Sequence, residues 1–285
     1  MKLNYYQLYW YRNGLNAVRI FAALNKTDEI ATSLQYGASI IDTVYGYALG
    51  GHIEQVDAIL GANAALINTA AIGYARANNV VAIAKLNNQY EPIIKTSLFK
   101  GYAQAANITQ IYTATQCKHN AEYIASIVEG LAECGHADLV QQYAISTSLQ
   151  NIAITAAAHA GNVKLVSDLL GLQNIILSNL TLPLNSSTSI ALGHALIGYS
   201  KGRHYEYLES LLTFNLNPAL CLTAITGKNG IYESDLHELL HNISHPELQD
   251  YLLELINKNF SIVAEPLNRE NFNNHIDLAE LFENF

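Results

Sequence analysis

A tripeptide that returns at short, regular intervals constrains this chain more than any other feature. Gly46-Tyr47-Ala48 has strict or weakened copies at residues 73–75, 101–103, 130–132, 156–158 and 198–200. The first four intervals are 27, 28, 29 and 26 residues, and the fifth is 42. Self-similarity at such a period indicates a repeat architecture, in which each unit is one supersecondary element.

A short polar break follows each copy, and an apolar pattern with helical spacing follows the break. Gly51-His52 precedes Ile53, Val56 and Leu60, which would share one helix face. Gly and Asn at such breaks tolerate the left-handed backbone that ends a helix, and an Asn side chain can cap the next helix. Each unit is therefore predicted to be a helix, a tight turn and a second helix.

A two-helix unit of this length cannot bury its apolar face alone, so neighbouring units are expected to stack. Half of the 285 residues are apolar, 14% are charged and only five are prolines. A substantial core and long segments without helix breakers follow from that composition. The predicted fold class is all-α, a solenoid of stacked helix-turn-helix repeats.

The repeat pattern resembles the ankyrin repeat, whose units carry a Leu-His helix followed by Gly-His and a second helix ending in Leu-Leu. Residues 48–60, 132–143 and 158–170 match its second half, and residues 234–240 match its first half. The period of about 27 residues is shorter than the ~33 of ankyrin repeats. The missing residues are those of the β-hairpin fingers, so the resemblance implies binding of another protein along a concave helical face.

Five segments are expected along the chain. They are an aromatic N-terminal cap (1–16), ankyrin-like repeats (17–171), an irregular insertion (172–190), further helical repeats (191–260) and an acidic C-terminal tail or helix (261–285). The insertion is equally well interpreted as a strongly diverged helix pair. The N-terminal aromatic residues are interpreted as a cover for the end of the stack, since a terminal repeat needs a cap. The alternative is a recognition patch, since Tyr and Trp are enriched in interface hot spots. These residues are Tyr5, Tyr6, Tyr9, Trp10 and Tyr11.

The recurring glycine needs a physical reason, because Gly inside a helix costs about 1 kcal/mol relative to Ala. One interpretation is close packing between neighbouring helices, and the other is the floor of a groove. The tyrosine that follows the glycine is interpreted as a core residue with a hydrogen-bonded hydroxyl.

The position three residues after the glycine is the candidate centre of a partner-binding surface. It is filled by six unlike residues, which suggests that packing does not constrain it; they are Leu49, Arg76, Gln104, Glu133, His159 and Lys201. In the ankyrin-like register this position borders the groove. A solvated face is the alternative interpretation.

His237-Glu238-Leu239-Leu240-His241 is a literal HExxH motif. On a helix, His237 and His241 would share a face and could hold zinc, while Glu238 would activate water. In the ankyrin-like register, however, His237 holds the structural Leu-His position. The sequence therefore predicts no metal or other cofactor and no catalytic residue, with a zinc hydrolase as the alternative.

Charge and apolar runs exclude several other classes. A net charge of −9 with 15 basic residues argues against nucleic acid binding. No apolar run approaches the ~18 residues of a membrane span, and no Sec signal peptide is apparent. Three scattered cysteines indicate neither disulfides nor a cysteine zinc site, so a soluble protein of a reducing compartment is expected.

The combined pattern favours a non-enzymatic scaffold for protein–protein interaction. An Asn-rich chain with ankyrin-like repeats and an acidic, apolar C-terminus also resembles the type IV secretion effectors of intracellular bacteria. That resemblance implies a bacterial cytoplasmic origin, delivery into the host cytosol and a host protein as partner. Glu270, Glu280, Glu283 and Phe285 would belong to the secretion signal, although an ordinary amphipathic end helix explains them equally well.

Overall fold

A computed structural model of the chain describes residues 17–35, 37–91, 94–116, 121–171 and 186–202, together with residues 204, 206, 207, 250 and 253. All regular secondary structure within these ranges is α-helical. The predicted all-α class is thereby confirmed for the part of the chain that the structure describes.

From α1 to α12 the helices follow one another with short connections. They are α1 (17–23), α2 (Thr27–Gln35), α3 (Ile40–Gly50), α4 (Ile53–Leu60), α5 (Ala64–Arg76), α6 (Val80–Tyr90), α7 (Lys95–Gln104), α8 (Ile108–Gln116), α9 (Ala121–Glu133), α10 (Ala137–Tyr143), α11 (Thr147–His159), α12 (Val163–Leu169) and α13 (Ser186–Lys201). Helix α13 begins within the segment that the sequence assigns to an insertion. The chain divides into two compact units, residues 1–149 and residues 150–285.

In the first unit, alternate helices form a layer. Helices α3, α5, α7 and α9 pack side by side in chain order, and each also packs against the helix that follows it. Buried side chains such as Val44, Ile67 and Leu131 lie within this arrangement. The layer helices therefore pack in the order of the repeat, and the stacked solenoid stays a prediction.

The recurring glycine allows the helices of this layer to approach closely. A Cβ at Gly73 would lie 2.6 Å from the Cβ of Ala48, and one at Gly101 would lie 2.7 Å from the Cβ of Ala75. The alanine of one tripeptide thus packs on the glycine of the next. The same contact recurs in the second unit, where Gly198 meets Ala158.

Close helix packing is therefore the reason for the glycine, and its interpretation as a groove floor is wrong. A preceding helix covers each of these glycines. A carbonyl oxygen lies on the same side, contributed by Arg19, Tyr45, Ile72, Lys100 or Thr155 in turn.

The turns after the layer helices have the left-handed residue that the polar breaks predict. Gly51 has φ 79°, Asn78 has φ 53° and Ala106 has φ 50°. In the first turn the amides of Gly51 and His52 donate to the carbonyls of Ala48 and Tyr47, so the tripeptide also closes its own helix. Asn side chains cap the next helix as predicted: Oδ1 of Asn79 accepts from the amide of Ala82 at 3.1 Å.

The repeated tyrosines are core residues, but the prediction of a bonded hydroxyl is wrong for one of them. Tyr47, Tyr74 and Tyr199 are buried, while Tyr102 is half-buried. The Tyr74 hydroxyl is buried and has no hydrogen-bond partner among the described residues. Its burial raises the pKa of the phenol well above the usual value, so Tyr74 stays neutral.

Candidate interaction surface

The six residues of the candidate row lie at or next to the C-terminal ends of the layer helices. Arg76, Gln104 and Glu133 are the last residues of α5, α7 and α9, and Leu49 is the next-to-last residue of α3. The glycine contacts fix the register of these helices, which brings the row positions of neighbouring helices side by side. His159 and Lys201 close α11 and α13 in the second unit, where both are exposed.

Three of the row residues are joined through a tyrosine that is not in the row. Arg76 Nη1 donates to the Tyr45 hydroxyl at 2.7 Å, and that hydroxyl donates to Gln104 Oε1 at 3.0 Å. Gln104 Nε2 in turn donates to Glu133 Oε2 at 2.7 Å. Four neighbouring helices are thereby connected through side chains.

Lysine and glutamate extend these bonds at the α9 side. Lys100 Nζ lies 2.7 Å from Glu133 Oε1 and 2.9 Å from Glu129 Oε1. Burial alone would lower the pKa of Lys100, but the two carboxylates outweigh it and raise that pKa above its ordinary value. Lys100 is therefore fully charged at neutral pH.

An arginine extends them at the α1 side. Arg19 Nε donates to Asp42 Oδ1 at 2.6 Å, and the Arg19 guanidinium lies 5.0 Å from the centre of the Tyr45 ring. We call the whole set the polar ladder; its members are Arg19, Asp42, Tyr45, Arg76, Lys100, Gln104, Glu129 and Glu133. The polar ladder connects α1, α3, α5, α7 and α9.

The polar ladder is balanced in charge, with three cations and three carboxylates. Burial raises the pKa of Tyr45, although the hydrogen bond from Arg76 and the charges of Arg76 and Arg19 oppose that effect. Tyr45 is therefore a neutral phenol that accepts from Arg76 and donates to Gln104. The thiol of Cys134 is also near Arg76, and burial raises its pKa, so it remains protonated at neutral pH.

Packing does constrain Gln104 and Glu133, contrary to the interpretation from the variable composition of the row. Gln104 is only 8% exposed, and the Glu133 side chain is 16% exposed. Arg76, Gln104 and Glu133 each bond to side chains on neighbouring helices, which accounts for three of the six unlike residues. Their role in binding a partner stays a prediction.

Histidines supply further hydrogen bonds between successive helix–turn–helix repeats, and the sequence analysis did not predict these bonds. His52 Nε2 lies 2.9 Å from the carbonyl oxygen of Ala23, and His136 Nε2 lies 3.1 Å from that of Gln104. In the second unit, His204 Nε2 lies 3.2 Å from the carbonyl oxygen of His159. Each ring nitrogen must donate, because a carbonyl only accepts, and each satisfies a carbonyl at the end of a helix. The signal available in the sequence was that each of these histidines lies six residues after a recurring glycine.

The alternative zinc site cannot be located, because His237, Glu238 and His241 lie outside the described residues. Within the described part of the chain, no group of three or more His, Cys, Asp or Glu side chains is arranged to hold a metal ion. No helix in those same ranges combines the length and the apolar character needed to cross a membrane.

Comparison with known protein families, curated proteins and solved structures finds no match to this chain.

Proposed function

We propose that the chain is a solenoid of short ankyrin-like helix pairs and that it serves as a scaffold, binding another protein on the face that carries the polar ladder. The observation that supports this proposal most directly is the polar ladder itself. Its side chains come from five helices and hold one another in fixed positions. A partner would therefore meet a surface that is already ordered, which lowers the entropic cost of association.

The expected contact area is the ladder together with the half-buried apolar residues next to it. Leu49 holds the row position on α3, and Ile72 precedes the glycine on α5. Apolar residues flanked by ordered polar groups are typical of the central part of protein–protein interfaces. The partner is thus expected to present an apolar side chain near Leu49 and hydrogen-bonding groups along the ladder.

Variants for a binding test must leave the ladder intact. Charge reversal at Arg76 or Glu133 would remove bonds between helices as well as any contact with a partner. Leu49→Arg is preferable, because Leu49 is partly exposed and has no ladder bond. Ala84→Arg is a matched control, since Ala84 is exposed on α6, outside the layer that carries the ladder.

The test begins with a photo-crosslinking amino acid placed at position 49 and, separately, at position 84. A protein crosslinked from position 49 alone is then purified, and its affinity is measured by isothermal calorimetry. Leu49→Arg is expected to weaken binding at least about tenfold, or ~1.4 kcal/mol, with Ala84→Arg unchanged. Equal effects of both variants, or none from Leu49→Arg, would remove the ladder face as the binding surface.

We also propose that this chain is delivered into a host cell through type IV secretion and that its partner is a host-cell protein. This part rests on the sequence resemblance alone, and Glu270, Glu280, Glu283 and Phe285 lie outside the described residues. Deletion of residues 266–285 is expected to abolish delivery of a reporter fusion into host cells while expression continues. Unchanged delivery would contradict the signal but would leave the scaffold proposal in place.

The scaffold needs no metal. Elemental analysis of the full chain, purified without a metal-affinity tag, is expected to find far less than one zinc per molecule. Near-stoichiometric zinc that disappears in His237→Ala and His241→Ala would replace the scaffold with a hydrolase, and Glu238→Gln would then test catalysis.

A further inference from the structure

Helix α1 differs from α3, α5, α7 and α9 at the position that those helices keep as glycine. The carbonyl of Arg19 and the Cβ of Ala22 face Gly46, just as the carbonyl of Tyr45 and the Cβ of Ala48 face Gly73. Ile20 therefore holds in α1 the position that Gly46 holds in α3. By the same register, Leu24 corresponds to Gly50, a position that the later layer helices fill with the small residues Ala77, Ala105 and Cys134.

Glycine at the first position and a small residue at the second let a preceding helix pack closely. A Cβ at Gly46 or Gly50 would collide with the backbone carbonyl of Arg19 or Ala23. Isoleucine and leucine in α1 therefore prevent another helix backbone from approaching α1 as α1 approaches α3. The face of α1 opposite α3 cannot be covered by a further repeat of the same kind.

This face is apolar and exposed among the described residues. Ile20 is 58% exposed and Leu24 is 63% exposed, whereas Val18 and Ala22 on the same helix are fully buried. Two large apolar side chains side by side at the end of a stack require a cover of apolar side chains.

We propose that the aromatic segment of residues 5–11 folds back and covers Ile20 and Leu24. The segment contains Tyr5, Tyr6, Tyr9, Trp10 and Tyr11, and no charged residue lies between Leu3 and Tyr11. Tyr11 is six residues before Ala17, and six residues span up to about 20 Å. A helix of seven residues is about 10 Å long, so the segment reaches every part of this face.

Side chains, rather than a helix backbone, make this contact. The large rings of Tyr and Trp offer the wide apolar surface that Ile20 and Leu24 need, while their polar edges stay toward water. The aromatic segment thus ends the stack, and Ile20 and Leu24 mark where it does so. This inference does not depend on the proposed scaffold function.

Tryptophan fluorescence tests the proposal, because Trp10 is the single tryptophan of the chain. In the full chain, Trp10 emission is expected to be blue-shifted and several-fold less quenched by acrylamide than in the denatured chain. The variant Ile20→Ser/Leu24→Ser should bring quenching close to the denatured value, with helical circular dichroism retained. Ile145→Ser is the matched control, because Ile145 is 82% exposed and lies far along the same unit.

Three outcomes would overturn the proposal. The first is a Trp10 in the full chain that is as accessible to acrylamide as in the denatured chain. The second is a Trp10 that stays shielded when Ile20 and Leu24 are replaced by serine. The third outcome is shielding that grows with protein concentration over a hundredfold range, which would assign the face to a second copy of the chain.

A reciprocal experiment covers the case in which Ile20→Ser/Leu24→Ser fails to fold. Tyr9→Ser/Trp10→Ser changes the aromatic segment and leaves α1 intact. Hydrogen exchange in residues 17–35 is expected to accelerate severalfold, while exchange in α7 stays unchanged. Unchanged exchange in residues 17–35 would contradict the contact.

Discussion

The hydroxyl of Tyr45 on α3 donates a 3.0 Å hydrogen bond to Oε1 of Gln104 on α7, 59 residues further along the chain. The bond passes over α5, whose Arg76 donates to the same hydroxyl. One phenol thus connects three successive helices of the layer. Because Tyr45 and Gln104 are largely buried, water cannot easily replace this hydroxyl as the hydrogen-bond partner of Gln104 and Arg76.

Removing the hydroxyls of Tyr45 and Tyr74 should have opposite effects. Tyr45→Phe is expected to lower the free energy of unfolding by about 1.5–3 kcal/mol, because one lost bond involves a charged group. Tyr74→Phe is expected to be neutral or to stabilise by up to ~1 kcal/mol, because its buried hydroxyl has no hydrogen-bond partner in the described part of the chain. Urea denaturation of both variants measures the difference. Equal destabilisation would contradict the assigned roles of the two hydroxyls.

The glycine–alanine contact predicts a compensating pair of substitutions. Gly73→Ala puts a methyl group 2.6 Å from the Cβ of Ala48, and overpacking of this kind costs about 1–3 kcal/mol. This cost exceeds the ~1 kcal/mol that alanine gains in helix propensity. Adding Ala48→Gly removes the closest contact, so the double variant should be at least ~1 kcal/mol more stable than the sum of the single effects.

Gly101→Ala with Ala75→Gly is the control for this pair. The carbonyl oxygen of Ile72 is the nearest obstacle to a Cβ at Gly101, and it is backbone that Ala75→Gly does not remove. Rescue is therefore expected to be smaller than at Gly73. Equal rescue at the two sites would show that the helices move apart freely.

The partly buried Lys100 should make stability fall at alkaline pH. Its pKa is raised in the folded protein, so its contribution is fully present below the unfolded pKa of about 10.5 and is lost as pH rises through the folded pKa. Tyr45, whose pKa is also raised, acts in the same direction from about pH 10. Urea midpoints measured from pH 8 to pH 11 should fall above about pH 10, and less steeply in Lys100→Gln.

Lys100→Gln also removes the ammonium group that binds both Glu129 and Glu133, which should cost roughly 2–4 kcal/mol at pH 8. Lys85→Gln is the control, because the Lys85–Asp57 pair is exposed and such pairs contribute about 0–1 kcal/mol. Similar losses in the two variants would mean that the carboxylates of the ladder find other partners.

The fold was more predictable from the sequence than the surface. A recurring glycine indicates a close contact at the repeated position, and the contacts of Gly73 and Gly101 agree with the interpretation as helix packing. Breaks such as Gly51-His52 likewise predicted the left-handed turns, because few residues adopt that backbone. These features are local or strictly periodic, so the sequence shows them directly.

The polar ladder was not predictable in the same way. Its bonds join residues such as Tyr45 and Gln104 that occupy different positions within the repeat, two repeats apart. A variable position therefore looked unconstrained, although Gln104 is buried. The substitution of Ile20 for the repeat glycine became interpretable only when the contact between Gly46 and Arg19 fixed the register of α1.

One turn of the first unit departs from the best local sequence, and this gives a final prediction. Ala106 has φ 50° at the place where other breaks have glycine or asparagine. A left-handed residue with a Cβ costs about 1–2 kcal/mol. Ala106→Gly removes that strain, but the greater entropy of the unfolded chain offsets ~0.4–1 kcal/mol of this effect. The free energy of unfolding is therefore expected to rise by about 0.5–1 kcal/mol.

Ala105→Gly is the control, because Ala105 has a right-handed φ of −86° and the same change there should destabilise the protein. Thermal unfolding of the two variants should therefore shift in opposite directions, and a loss of stability in Ala106→Gly would mean that the turn carries no such strain.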